Sequence, residues 1–443
     1  MAAGLVNLTE GPIHRRIVAF AVPIFLGNLF QQLYNVADAL IVGNFIDSNA
    51  LAAVSSTGAL VSILIGFVNG MSLGAGVVVA HWYGAEDDRR LKLAVHTMAA
   101  VGLACGVLLT VVGVLFTPQI LLWMKSPSDV FPQSVLYLRI YFAGSLALTT
   151  YNCQVGILQS VGDSRHPLYY LIVSSILNCL LDLLLVGFLG YGVGAAALAT
   201  VISQAVSSIL CFRQLSGAQA AYRLIWREIR FSAEMVPDVL RNGIPAGIQH
   251  SVISIANVVV QASINTFGSL AMAGCGSYSK VQGFVFLPIG ALSMAITTFV
   301  SQNRGAGQPE RAKRGALFGI GTGVAVAEIV GVLFYLFGSW VLRAFSRDSE
   351  VIAFGMRQVH IECLLYFLLA FSHLSAATLR GYGKSVWPTM IMVIIWCGFR
   401  VPYILIGLHY VQQIDWIFTA YPVTWAMSSV VYLLLVPRCF REE

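Results

Sequence analysis

Residues 84–92 read GAEDDRRLK, and residues 305–313 read GAGQPERAK. Each is a short charged loop with basic residues at its end, between two long apolar runs. Gly84-Ala85 with Arg90 and Lys92 recurs as Gly305-Ala306 with Arg311 and Lys313, an offset of 221. The spacing holds elsewhere. Leu158, Gly162, Ser164 and Pro167 recur as Leu379, Gly383, Ser385 and Pro388 at 221, and Pro23 and Asn35 recur as Pro245 and Asn257 at 222. Self-similarity at one spacing over three pairs of segments marks a duplicated architecture.

The runs between these loops set the solvent. Of 443 residues 58% are hydrophobic and 10% charged, where a soluble domain carries about 25% charged residues. A chain so short of charge needs lipid around it, and a spanning helix needs about 20 mostly apolar residues. Breaks at charged and Gly/Pro-rich stretches give twelve spans: 17–46, 51–80, 91–117, 134–159, 168–188, 192–213, 238–266, 270–301, 314–341, 351–379, 387–408 and 416–436. The first run is too long for a signal peptide and has no cleavage site. With both termini cytoplasmic, nineteen of the 26 Lys and Arg fall inside, five outside and two within spans, a bias that fixes this orientation by the positive-inside rule.

The expected fold is therefore all-α and integral to the membrane, twelve helices in two pseudo-symmetric six-helix bundles. Residues 1–213 form the first lobe, 214–234 a cytoplasmic linker and 235–443 the second lobe. Six helices per half gives both halves the same topology, so the repeats are parallel and the cleft between them is the default substrate path. The net charge of +6 is scattered over short loops, so nucleic acid is not a partner. No Walker A, G-x-S-x-G or H-E-x-x-H motif occurs, which argues against ATP-driven transport on this chain and against an enzyme. The eight cysteines show no CxxC pair, so neither a disulfide nor a metal cluster is expected.

Ionisable residues within spans are costly and mark function unless paired. The second half has Lys280, Glu328, Glu362 and Arg400, two of each sign, which could pair with one another. The first half has Asp38 and Asp182 and no deep basic residue. At the helical rise, Asp38 lies about 12 Å from its outer end, Asp182 about 9 Å, and Thr200 about 12 Å into the next span. Asn178 shares a helix face with Asp182, and Gln31, Tyr34 and Asp38 share another. Asp38, Asn178, Asp182 and Thr200 thus converge on an oxygen-rich pocket fit for Na⁺ or H⁺; the bland alternative is that both acids merely hydrogen-bond neighbouring helices. No cofactor is implied beyond the coupling ion.

Pro23 and Pro245 remove a backbone donor within a helix and are candidate hinges or static kinks. Candidate substrate contacts are Gln31, Tyr34, Tyr137, Asn152, Lys280, Phe284, Phe286 and Met294, whose rings, amides and thioether suit small organic cations. Taken singly, each of the aromatic and Met residues is read first as ordinary packing. His250 and His373 are read as satisfied interior histidines.

Several motifs taken together resemble the multidrug and toxic compound extrusion (MATE) family over the whole chain. They are Pro23-x7-Gln31-x2-Tyr34-x3-Asp38, the run ALAAV at 50–54, the Gly84-Ala85 and Asn303-Arg304-Gly305-Ala306 loops, and the loops at 158–163 and 379–383. The first-helix acid, Asn-x3-Asp and later Thr are similar to the DinF-like branch, matched by Asp38, Asn178, Asp182 and Thr200. The branch with acids in its seventh and tenth helices finds no counterpart deep in the seventh span, and Glu362 does not sit where its tenth-helix acid would, so no second ion site is carried over. The resemblance implies a V-shaped pair of bundles and export of cationic, amphipathic compounds by antiport against H⁺ or Na⁺, with lipid around a monomer. A lipid-linked oligosaccharide flippase is the alternative; its polyanionic substrate would face Asp38 and Asp182 with only Lys280 and Arg400 to attract it.

Overall fold

The computed structural model describes residues 5–45, 48–124, 126–128 and 130–441 and, within these, all side chains except those of 35–56 and 59. Among the described residues every regular element is a helix: α1 (Ile13–Phe45), α2 (Ser48–Gly84), α3 (Asp88–Trp123), α4 (Phe131–Ala143), α5 (Ser145–Ser160), α6 (Arg165–Asp182) and α7 (Val193–Ser216), then α8 (Val236–Asn265), α9 (Ser269–Gly305), α10 (Pro309–Arg343), α11 (Ser349–Glu362), α12 (Tyr366–Gly381), α13 (Val386–Met392), α14 (Arg400–Val411) and α15 (Ile414–Arg441). Helices satisfy their own backbone, which lipid requires. Eleven described stretches are long and apolar enough to cross a bilayer, and α4 with α5 makes the twelfth crossing.

That crossing differs from the single helix expected over 134–159. It is broken at Gly144, whose N–H is shared between the carbonyls of Ile140 and Tyr141, each at 3.1 Å. A Cβ at Gly144 would lie 2.2 Å from Val201 Cγ2 on α7. The glycine thus admits a close helix approach and weakens the helix it sits in. In the second half the matching position is Leu365, which ends the 3-10 turn Cys363–Leu365 between α11 and α12. The break is repeated at the sequence offset of 221.

Backbone conformation repeats in the same way. Positive φ occurs at Glu86 and Gly307, at Gly162 and Gly383, and at Gly190 and Gln412. These pairs stand 221 or 222 residues apart, and two of them set a non-glycine against a glycine. The loop geometry is therefore held by the repeated architecture and not by the glycine alone.

The chain divides into two compact units, one of residues 1–7 and 22–247, the other of 8–21 and 248–443. The changeover falls within α1 and α8, beside Pro23 and Pro245. In the first unit, residues 243–247 of α8 form a G-x-x-x-G step against α2, where Gly243 abuts Met71 and Gly247 abuts Phe67. The segment after α7 is bound into this unit. Leu224 and Met235 join a core with Leu91, Val95, Met98 and Ile157. Ile225 N–H donates to His96 Nε2 at 3.1 Å, and Lys92 Nζ meets Glu228 at 2.6 Å. That ammonium holds the Glu228 carboxyl below its ordinary range. In the second unit, Val260, Ile264, Ala271, Ile404, Ile417 and Phe418 form a core. There Leu8 is fully buried, its carbonyl accepting from Asn303 Nδ2 and Arg311 Nη2.

Candidate functional site

In the first unit α6 ends at Asp182, and a π-helical turn, Leu183–Phe188, follows at once. Such turns hold one extra residue per turn and concentrate at functional sites. Asn178 and Asp182 lie one turn apart and are 2% and 0% exposed. Asn178 Nδ2 makes a long hydrogen bond of 3.5 Å to Thr200 Oγ1 on α7, and that hydroxyl donates to Ala196 O at 3.1 Å. Asn178 Oδ1 is sealed from solvent with no hydrogen-bond partner. Of the four residues expected to converge, Asn178 and Thr200 meet across α6 and α7, and Asp182 lies one turn along α6 from Asn178. The Asp38 side chain lies outside those described.

The polar stripe runs further than the sequence reading took it. Gln204 and Ser208 follow Thr200 at four-residue steps along α7. Ser208 Oγ lies 3.1 Å from Thr150 Oγ1 and donates to Gln154 Oε1 at 3.2 Å, both on α5. The i, i+4, i+8 spacing of Thr200, Gln204 and Ser208 is the sequence signal for this stripe. Of the candidate substrate contacts here, Gln31 and Tyr34 are half-buried on α1. Tyr137 stacks on Tyr141 with ring centroids 6.3 Å apart. Asn152 donates to Leu148 O of its own helix at 2.8 Å.

In the second unit the four charges expected to pair make no ion pair with one another among the described residues. Each finds another partner. Lys280 is exposed and its Nζ lies 5.7 Å from the Phe345 ring. Glu328 accepts the N–H of Phe367 at 3.1 Å, a donor left free because Phe367 opens a helix after the 3-10 turn. Glu362 is fully buried and accepts from Tyr278 at 2.9 Å, Gln282 at 3.1 Å and Gln358 at 2.7 Å. Arg400 is sandwiched between Trp396 and Tyr421, at 4.6 and 4.7 Å, with Thr424 accepting from Nε and Nη2. Charge counting cannot foresee this, because helix phase decides which heads meet. Phe284 and Phe286 are exposed and Met294 half-buried; Phe286 meets the His373 ring edge-on at 5.7 Å.

A duplicated, all-helical, multi-pass membrane protein with polar groups sealed inside each unit has the anatomy of a transporter. The family model for MatE matches residues 23–184 and again 245–406, the second match starting 222 residues after the first, as the repeat does. The chain belongs to the MatE family; it is a multidrug-efflux-type transporter of small molecules and not an enzyme. It is 30% identical to the probable multidrug resistance protein YoeA of Bacillus subtilis (strain 168), covering 95% of this chain and 92% of that one. Among solved structures it resembles a MATE in complex with MaL6, with a TM-score of 0.92, 22% identity and 100% and 99% of the two chains covered. It also resembles a MOP superfamily transporter from Pyrococcus furiosus Vc1 whose binding pocket is described as of reverse polarity, with a TM-score of 0.90, 22% identity and 99% of each chain covered.

Proposed function

We propose that the protein is an antiporter that exports cationic and amphipathic organic compounds, driven by H⁺ or Na⁺ through alternating access. The observation that carries this reading is the buried pair Asn178 and Asp182 in the first unit, with half-buried Thr200 bonded to Asn178 Nδ2 and Asn178 Oδ1 unmatched. Asp38 completes the ion site and is its principal switch. A cation bound there changes drug affinity only to the extent that it binds two conformations of the unit differently. Drug contacts are Gln31, Tyr34, Tyr137 and Asn152 in the first unit and Lys280, Phe284, Phe286 and Met294 in the second. Pro23 and Pro245, where α1 and α8 change over between units, are the hinges. The working form is a monomer in the bacterial plasma membrane, with two six-helix lobes and both termini cytoplasmic.

The test is dye efflux in everted vesicles under an imposed pH gradient or sodium gradient. The gradient that drives efflux identifies the ion. Asp38→Asn should abolish efflux while the protein stays folded and inserted; normal efflux in that variant sinks the assignment.

A further inference from the structure

The second unit contains a buried cluster of opposite character, which the transport reading leaves unused. Arg380, near the end of α12, is 4% exposed. Its Nη1 donates to Gln249 Oε1 at 3.3 Å, and its Nε is sealed without a hydrogen-bond partner. Gln249 is itself 2% exposed, its amide turned to Met392 Sδ at 3.3 Å. Two turns before Arg380 on the same helix stands His373, whose ring packs edge-on against Trp396 at 5.5 Å. Trp396, 3% exposed, belongs to the π-helical turn Val393–Phe399. Its Nε1–H, His373 Nε2 and the hydroxyl of fully buried Tyr432 are also sealed without hydrogen-bond partners.

Two of these orphans, the arginine Nε–H and the indole N–H, can only donate. Each sealed donor without an acceptor costs about 1–3 kcal/mol, so a cluster of them calls for an acceptor. The electrostatics point the same way. The permanently charged groups near His373 are Arg380 and Arg400, both cations, and the phenol of Tyr432 lies near Arg380. Among the described residues no carboxylate forms an ion pair with Arg380. A buried cation left so is expensive unless an anion joins it. The pseudo-symmetric positions of the first half, at the offset of 221, hold Gln159, Asn152 and Ser175 where this unit has Arg380, His373 and Trp396. Duplication alone therefore did not supply the cation or the donor-only indole, since the amides and hydroxyl of the first half also accept.

We propose that the second unit carries an anion-accepting site built on Arg380, His373, Trp396 and Tyr432, suited to an organic carboxylate whose aromatic body lies against His373, Trp396 and Phe286. Trp396 lies within the π turn Val393–Phe399, a helical irregularity of the kind found at functional sites, and the proposal requires its ring to move. That movement admits the ligand to donors now closed over. A substrate carrying both charges would then present its cationic end to carboxylates and its anionic end to this cluster.

The probe is benzoate, titrated calorimetrically against the full-length protein in phosphatidylcholine nanodiscs, with chloride and inorganic phosphate as parallel arms and benzylammonium as the cationic counterpart. Saturable benzoate binding is expected, at least tenfold weaker in Arg380→Gln and several-fold weaker in Trp396→Phe, which keeps the ring and removes the N–H. Benzylammonium binding should be the same in all three proteins. If phosphate or chloride binds with that dependence and benzoate does not, the anion site stands and its ligand is a free inorganic anion. No saturable anion binding by the folded protein overturns the proposal, as does binding indifferent to the substitutions. Should Arg380→Gln fail to fold, Trp396→Phe decides alone. Binding is read directly, so failure here leaves the efflux reading standing, and loss of efflux leaves this site standing.

Discussion

Replacing Thr424 by valine should destabilise the protein by about 2–4 kcal/mol, more than a neutral hydroxyl usually contributes. Arg400 is 1% exposed, and Thr424 Oγ1 accepts from both its Nε and its Nη2. Valine conserves the side-chain volume, so Trp396 and Tyr421 stay against the guanidinium. The lost oxygen strands two charged donors where each such bond contributes about 1.5–3 kcal/mol. The full doubling is not expected, because one oxygen serves both donors and each ring face returns about 0.5–2 kcal/mol to the cation. The assay is reversible unfolding in mixed micelles by SDS titration, followed by circular dichroism. Thr424→Ser keeps the acceptor and should stay within about 1 kcal/mol of the parent, the ordinary worth of the missing methyl. A valine variant within about 0.5 kcal/mol of the parent, the scale of an indifferent substitution, would refute the claim that Arg400 relies on this oxygen. A serine variant as damaged as the valine one would do the same.

Gly144→Ala places a Cβ 2.2 Å from Val201 Cγ2 and should cost about 1–3 kcal/mol by overpacking; Val201→Ala in the same chain should restore most of it in the same unfolding assay. Asn303→Ala removes the 3.1 Å bond to Leu8 O in the second unit. It should cost about 1–2 kcal/mol and speed limited proteolysis within residues 5–12. The Lys92–Glu228 pair predicts a pH effect of definite sign. Because the folded Glu228 carboxyl titrates below its ordinary value, its contribution is fully present above that ordinary value and is lost as pH falls through the lower, folded one. Glu228→Gln should remove that acid-side slope, and high salt should flatten it in the parent; an unchanged slope in the variant would assign it elsewhere.

Particular residues show why part of this molecule is legible in the sequence and part is not. The repeat reads off one offset because loops must reverse the chain at fixed backbone angles, and Glu86 with Gly307 shows the angle kept even when glycine is not. Asn178, Asp182 and Thr200 are legible because helical rise turns residue number into depth, and depth is common to neighbouring helices. What rise cannot give is rotation about each axis. Lys280, Glu328, Glu362 and Arg400 balance in charge, yet each head is turned to a ring, a backbone N–H, a set of amides and phenols, or a hydroxyl. The breaks at Gly144 and Cys363–Leu365 are hidden for a related reason. Both lie in apolar runs where hydropathy stays high, and they arise from close helix contact or 3-10 geometry that composition does not record. The sealed donors around Arg380 belong to the same class of fact. A sequence shows an arginine near a helix end, where the helix dipole would satisfy it; only packing shows that its Nε and the Trp396 indole face inward without an acceptor. Function in this fold is therefore divided between two kinds of information, depth, which the sequence carries, and phase, which the packed helices add.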